Sequence, residues 1–215
     1  MLFDDTFQTL TQATEGQFRD RGSRFLAFAY PIAREGDAKK RLDALRHDHP
    51  KANHHCYAYR LGLDKHQYRV SDDGEPSGSA GRPILNTIYS HDQPGKPFTN
   101  VLVVVVRYFG GTLLGVPGLI NAYKMATADA LANAQLETRT VNEQYRIHFG
   151  FEQMNAVMRI VKESGVNVLN QSFDTQCALD IEVRKTAATG LAERFSGLPG
   201  VSVEWSDAPF SRNSG

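Results

Sequence analysis

One apolar run limits the possible folds more than any other feature. From Asn100 to Arg107 the chain reads Asn-Val-Leu-Val-Val-Val-Val-Arg, β-branched almost throughout and without polar alternation. Such a run marks a strand buried on both faces. A Gly-rich stretch follows, Gly110-Gly111-Thr112-Leu113-Leu114-Gly115. Pro117 then opens a long helix, as expected for Pro at a first helical position, with Leu119, Tyr123, Ala126, Ala130 and Ala134 along one stripe.

The flanking sequence supplies partners for that strand. Residues Thr14 to Pro31 read as two strands around the turn Asp20-Arg21-Gly22. Gly36 to His49 reads as a helix with Ala38, Leu42 and Leu45 at helical spacing, stopped by Pro50. His55 to Leu61 and Gln67 to Ser71 read as strands, and Asp72-Asp73-Gly74-Glu75-Pro76 is a strong turn signal. Ser79 is placed to cap a helix carrying Ile84, Leu85, Ile88 and Tyr89.

Around Glu137 to Gln144 the pattern turns polar, which predicts a domain at 1–137, a linker at 138–144 and a second domain at 145–206, with a tail at 207–215 that is expected to be disordered from Ser211. The second domain reads strand (Tyr145 to Phe151), helix (Gln153 to Glu163), strand (Val166 to Phe173), strand (Gln176 to Val183), helix (Ala187 to Phe195), strand (Val201 to Trp205). That βαββαβ order is the split pattern of ferredoxin-like folds. Its strands carry acidic residues such as Asp180 and Glu182 on the face away from the helices, with no aromatic platform, a poor surface for RNA.

Composition narrows the class. Lys plus Arg and Asp plus Glu both number 24, so the formal net charge is zero, which argues against a dedicated DNA coater. The two cysteines, Cys56 and Cys177, form no CxxC pair and fit a reducing compartment. The N-terminal residues lack signal-peptide character, and the longest apolar run is too short to span a bilayer. These features predict a cytoplasmic protein that does not engage membranes.

The residues that can carry chemistry lie in the first half. Asp72, Asp73 and Glu75 can hold a divalent cation or supply a base, or else form an Asx-type turn that complements a helix dipole. Arg107 and Tyr108 leave the end of the buried strand, where ligands collect in α/β domains. Gly110 and Gly111 can admit an anion close to the backbone, or serve a tight strand-to-helix connection. Arg107 is read as the first position on its strand able to reach solvent; the alternative is that it pairs with an acid of the turn and locks the two loops together. Lys124, Arg19, Arg21 and Arg24 can add positive charge. The cluster His47, His49, His54, His55 and Cys56 lacks convergent ligand spacing, and no nucleotide motif or nucleophilic triad is present. No cofactor, metal site or catalytic residue is expected.

Three segments taken together, Asp72-Asp73-Gly74-Glu75-Pro76-Ser77-Gly78-Ser79-Ala80-Gly81, Arg107-Tyr108-Phe109-Gly110-Gly111, and Leu114-Gly115 with Gly118-Leu119 and Ala122-Tyr123, resemble the signature of the YigZ/IMPACT family. Gly22-Ser23-Arg24-Phe25 is similar to its N-terminal strand. The resemblance implies an α+β protein of two domains. The first would be a left-handed βαβ domain resembling domain IV of elongation factor G, and the second a ferredoxin-like domain similar to domain V. Eukaryotic members are translation regulators that bind an activator of an initiation-factor kinase. The expected function is therefore a non-enzymatic, translation-associated regulator that binds the ribosome, RNA or a ribosome-bound protein through its first domain. The rival is an enzyme on a small phosphorylated or peptide substrate, using the acidic turn as base and Arg107 as anion clamp. The expected site is Asp72, Asp73, Gly74, Glu75, Arg107, Tyr108, Gly110, Gly111 and Lys124.

Overall fold

The computed structural model describes residues 5–64, 66–174 and 176–206; the 207–215 tail lies outside them. The chain divides into two compact units. Thr6–Arg139 forms one; the other takes 140–206 and also Asp5.

In chain order the first unit contains β1 (Thr6–Leu10), β2 (Thr14–Asp20), β3 (Ser23–Pro31), α1 (Glu35–Asp48), β4 (His54–Arg60), β5 (Tyr68–Ser71), α2 (Gly81–Tyr89), β6 (Val101–Tyr108), α3 (Gly115–Ala132) and β7 (Leu136–Thr140). The uninterrupted apolar run is β6, and it lies at the centre of a five-stranded sheet ordered β2-β3-β6-β4-β5. Strands β3 and β4 each pair antiparallel with β6, so they run parallel to each other, and α1 makes the crossover between them.

Both faces of β6 are covered, as its composition demands. Val101, Val103 and Val105 pack with Ile84, Leu85 and Ile88 of α2 and with Leu119, Ala122, Tyr123, Ala126 and Ala130 of α3. Leu102, Val104 and Val106 pack with Ala38, Leu42 and Leu45 of α1. The register matters for the site: Phe25, Arg107 and His54 form one cross-strand row, and Ala27, Val105 and Cys56 form the next on the same face.

The structure adds a ribbon that sequence reading did not find. β1 pairs with β7 across most of the chain. Its Gln8 also exchanges backbone hydrogen bonds with the Pro97–Thr99 segment, accepting from Thr99 and donating to Pro97 at 2.9 Å each.

The second unit contains β8 (Asn142–Phe149), a single 3₁₀ turn (Phe151–Gln153), α4 (Met154–Ser164), β9 (Asn167–Phe173), β10 (Cys177–Arg184), α5 (Lys185–Ser196) and β11 (Ser202–Ser206). Its sheet is ordered β11-β8-β10-β9 with antiparallel pairings, the ferredoxin-like arrangement. Ile147, Phe149, Leu179 and Ile181 face Val157, Ile160, Leu191 and Phe195 of the helices. On the other face Arg146 grips Asp180 with two hydrogen bonds of 2.6 and 2.9 Å.

The stretch 138–144, expected as a linker, is occupied by the end of β7 and the start of β8, with Val141 between them. Its polarity reflects strands with a solvated face rather than an open connector. The Val141 amide donates to Asp5 O at 2.8 Å. The Asp5 carboxylate in turn accepts from Arg184 Nε at 2.7 Å and from the Thr186 amide at 3.1 Å, capping α5 from the far end of the chain.

Candidate functional site

The acidic turn and the end of β6 meet, but most of their polar side chains point inward. Glu75 is the centre. Its Oε1 accepts from Arg107 Nη1 at 2.6 Å and from Tyr123 Oη at 2.8 Å, with His54 Nε2 at 3.8 Å. Arg107 is only 5% exposed and Glu75 8%. The Arg107 guanidinium lies between two rings, 5.3 Å from the centroid of Phe25 and 5.5 Å from that of Phe109. Of the two roles open to Arg107, the structure shows the lock. The residue does not reach solvent, because Glu75 and Tyr123 close over the end of its strand.

The turn is held by its own carboxylates. Asp72 accepts the amides of Gly78, Ala80 and Gly81 at 2.8, 3.0 and 2.8 Å. It thereby caps the start of α2, the task expected of Ser79. The Ser79 hydroxyl is instead buried without a hydrogen-bond partner, and the capping position itself is Ala80. Burial pushes the Asp72 carboxyl up, but the amides of Gly78, Gly81 and Ala80 together outweigh it and hold the group below its ordinary value. Asp73 Oδ2 accepts the His55 amide at 2.6 Å, while Asp73 O accepts from His54 Nδ1 at 2.8 Å. Gly74, at φ +88°, lets the chain reverse at that point.

Cys56 and Tyr123 complete the network. Cys56 Sγ lies 3.0 Å from Asp72 O and 3.3 Å from Tyr123 Oη. Burial and the neighbouring acids push the thiol far above its ordinary value; burial, with Cys56 and Glu75 alongside, does the same to the Tyr123 phenol. Both stay protonated and act as donors. In the sequence Tyr123 stands in the buried stripe and in the family motif, but neither reveals its hydroxyl's role, because spacing reports burial and not the reach of a hydroxyl.

The other expected residues lie on the outside of this network. Tyr108 is half-buried, its hydroxyl 2.8 Å from His49 Nδ1. Gly110 packs against the β2–β3 turn so tightly that a Cβ there would lie 2.0 Å from the Gly22 carbonyl carbon. Gly111 has open space around it but sits at φ +87°, so its requirement is conformational. Lys124 is exposed on α3. His49 pairs with Tyr108, His54 with Asp73, and Cys56 with Asp72 and Tyr123, and among the described residues no group of three or more His, Cys, Asp or Glu could hold a metal ion.

What sequence reading missed is the apolar surface beside Lys124. Phe109 is 43% exposed, Leu113 81%, Val116 45% and Ile120 40%. Val116, Ile120 and Lys124 follow at four-residue spacing and so share a flank of α3, which begins at Gly115 rather than Pro117. The available signal was that Val116 and Ile120 fall outside the Leu119–Tyr123–Ala126 stripe. No acidic residue occurs between Asp92 and Asp129. Contact between Gly22 and Gly110 brings the exposed Arg21 to the same end of the sheet.

Comparison with known proteins agrees with the motifs. Residues 21–131 match the Impact N-terminal domain family. An IMPACT family member of Haemophilus influenzae is 30% identical over 181 residues, 81% of this chain and 85% of that protein. The Escherichia coli IMPACT family member YigZ is 31% identical over 153 residues, 70% of this chain and 72% of that protein. A solved structure of a hypothetical protein, 23% identical, shares the fold with a TM-score of 0.69 over 93% of this chain and 96% of that one. With the buried motif residues, the two-unit fold and these matches together, the chain belongs to the IMPACT family.

Proposed function

We propose that this chain is a translation-associated regulator that docks on a ribosome-bound protein through the surface formed by the Gly-rich loop and the start of α3. The observation that carries the reading is the exposure of Phe109, Leu113, Val116 and Ile120 in an acid-free stretch. Contiguous exposed apolar residues with a charged rim mark interaction surfaces. Three of the four are aliphatic. Single-stranded RNA is gripped mainly by aromatic stacking and a basic groove, so aliphatic side chains favour a protein partner. Arg21 and Lys124 supply the positive rim, which suits an acidic border on that partner. Family membership supports the link to translation.

The enzyme reading has less support. Glu75, its proposed base, already accepts from Arg107 and Tyr123 through one oxygen, and the proposed clamp, Arg107, is the other half of that pair.

The test is co-sedimentation of the full chain with ribosomes, comparing wild type with Leu113→Asp and Val116→Asp. Both variants should lose binding while keeping the wild-type melting temperature. Undiminished binding by both would remove this surface from the function.

A further inference from the structure

The β2–β3 hairpin carries three arginines in six residues, Arg19, Arg21 and Arg24, and all three are exposed. We infer that this end of the sheet is a second contact surface, which holds the phosphate backbone of double-helical RNA without reading its sequence.

The strand register sets like charges side by side. Arg19 and Arg24 stand directly opposite each other. Phe25 packs on the α3 side of the sheet, so by alternation both arginines project from the α1 side. The contacts agree. The Arg24 guanidinium lies 5.9 Å from the centroid of the Tyr108 ring, and the Tyr108 hydroxyl meets His49 just beyond the end of α1. Like charges directly opposite each other destabilise a strand pair, and among the described residues no carboxylate pairs with Arg19, Arg21 or Arg24. The neighbouring acids are turned elsewhere. Asp20 lies on the α3 side by alternation, Glu15 stands opposite Phe28 further along the strand, and Asp73 is beside Arg46 at 3.7 Å.

The turn carries its own mark of a role beyond folding. Asp20 pairs with Ser23, so the loop has two residues, Arg21 and Gly22, at φ +45° and φ +82°. A two-residue loop with both φ positive is a type I′ hairpin turn, whose first position favours Asn, Asp or Gly. Arginine there weakens the turn and puts a guanidinium at its tip. The tip is also fixed in place, because Gly110 packs against Gly22 and its amide donates to Ser23 Oγ at 3.1 Å.

The chemistry of this face selects the partner. Guanidinium forks bind phosphate oxygens in pairs. Among the described residues no exposed large apolar side chain falls within β2 or β3, so the face has no anchor of the kind that dominates protein interfaces. For the same reason it has no exposed aromatic ring on which unpaired bases could stack. The backbone of a duplex, recognised by shape and phosphate, makes use of what is there. Phe109 and Leu113 belong to a different surface, since the Arg107–Phe109 contact is on the α3 side. That the duplex is ribosomal rests on the function proposed above; the phosphate contact does not.

The test is fluorescence anisotropy of the full chain with an RNA duplex of about 16 base pairs across a KCl series. Three phosphate contacts give a slope of log affinity against log salt of about −2.7, so affinity should fall about fortyfold between about 50 and about 200 mM. Arg19→Gln/Arg24→Gln should weaken binding about tenfold at about 50 mM and flatten the slope to about −0.9. Arg21→Asn should keep or raise the melting temperature, because Asn suits the turn, while flattening the slope by about 0.9. Wild-type slopes in both variants, or no duplex binding by the wild type at about 50 mM, would overturn the contact. A lowered melting temperature in Arg21→Asn would overturn its role, showing that the arginine supports the turn. Poly-glutamate binding as tight as the duplex would overturn the RNA assignment in favour of an acidic protein. Leu113→Asp should bind the duplex as the wild type does, so the duplex assay and ribosome co-sedimentation fail independently of each other.

Discussion

Two regions built from the same motifs behave in opposite ways. The network of Glu75, Arg107, Tyr123 and Cys56 is polar and internal; the neighbouring side chains of Phe109, Leu113, Val116 and Ile120 are apolar and exposed. Intuition from sequence assigns binding to the charged residues and packing to the apolar ones. Here the charged pair fastens the acidic turn to the end of β6 and to α3, and so fixes the platform from which Leu113 and Val116 project. The charges are structural because a single carboxylate oxygen is shared by a guanidinium and a phenol in a dry setting. The apolar residues are free because the buried stripe of α3 is turned away from them.

The comparison can be broken most severely at Glu75. Glu75→Leu leaves Arg107 buried without its counter-charge and should cost about 3–5 kcal/mol, read from urea unfolding. Glu75→Leu/Arg107→Met removes both charges and should recover most of that loss. A double variant as unstable as the single would show that the pair is more than a charge lock.

A smaller loss is expected at Tyr123. Tyr123→Phe deletes the hydroxyl that donates to Glu75 and leaves it with the Arg107 bond, for a cost of about 1–3 kcal/mol. An unchanged melting temperature would contradict the network.

Asp72→Asn should cost about 0.5–2 kcal/mol, as for other helix caps, and with a defined pH dependence. The folded carboxyl titrates below its unfolded value of about 3.9. Its contribution is therefore complete above that pH and is lost as pH falls through the folded value. The stability gap between wild type and Asp72→Asn should be constant from neutral pH to about pH 4 and narrow below it. A gap that instead narrows between pH 8 and pH 5 would assign the effect to another group.

The smallest stability effect belongs to the exposed region. Leu113→Asp should stay within about 0.5 kcal/mol of wild type, and a larger loss by calorimetry would mean that Leu113 packs against something internal.

Much of the fold was legible in the sequence because its signals are local. The turn at Arg21-Gly22, the α1 spacing of Ala38, Leu42 and Leu45, and the double-sided burial of β6 each follow from a few adjacent residues. The βαββαβ order of the second unit was readable for the same reason. β1 and β7 were not, since Thr6–Leu10 and Leu136–Thr140 are short, largely polar, and meaningful only once paired across the chain. The capping of α2 is misassigned to Ser79 because capping rules look one residue upstream, whereas Asp72 reaches forward across a loop to the amides of Gly78, Ala80 and Gly81. At the site, the motif residues were identified, yet their direction was not: alternation on a strand buried on both faces cannot say whether Arg107 meets solvent or a carboxylate.

The most direct measurement of the division between an internal lock and the proposed external docking surface is Arg107→Met, assayed for both unfolding and ribosome co-sedimentation at a temperature where the variant is folded. The account predicts a loss of about 3–5 kcal/mol with co-sedimentation equal to wild type. A variant as stable as wild type that no longer co-sediments would place Arg107 in the binding surface and contradict the account.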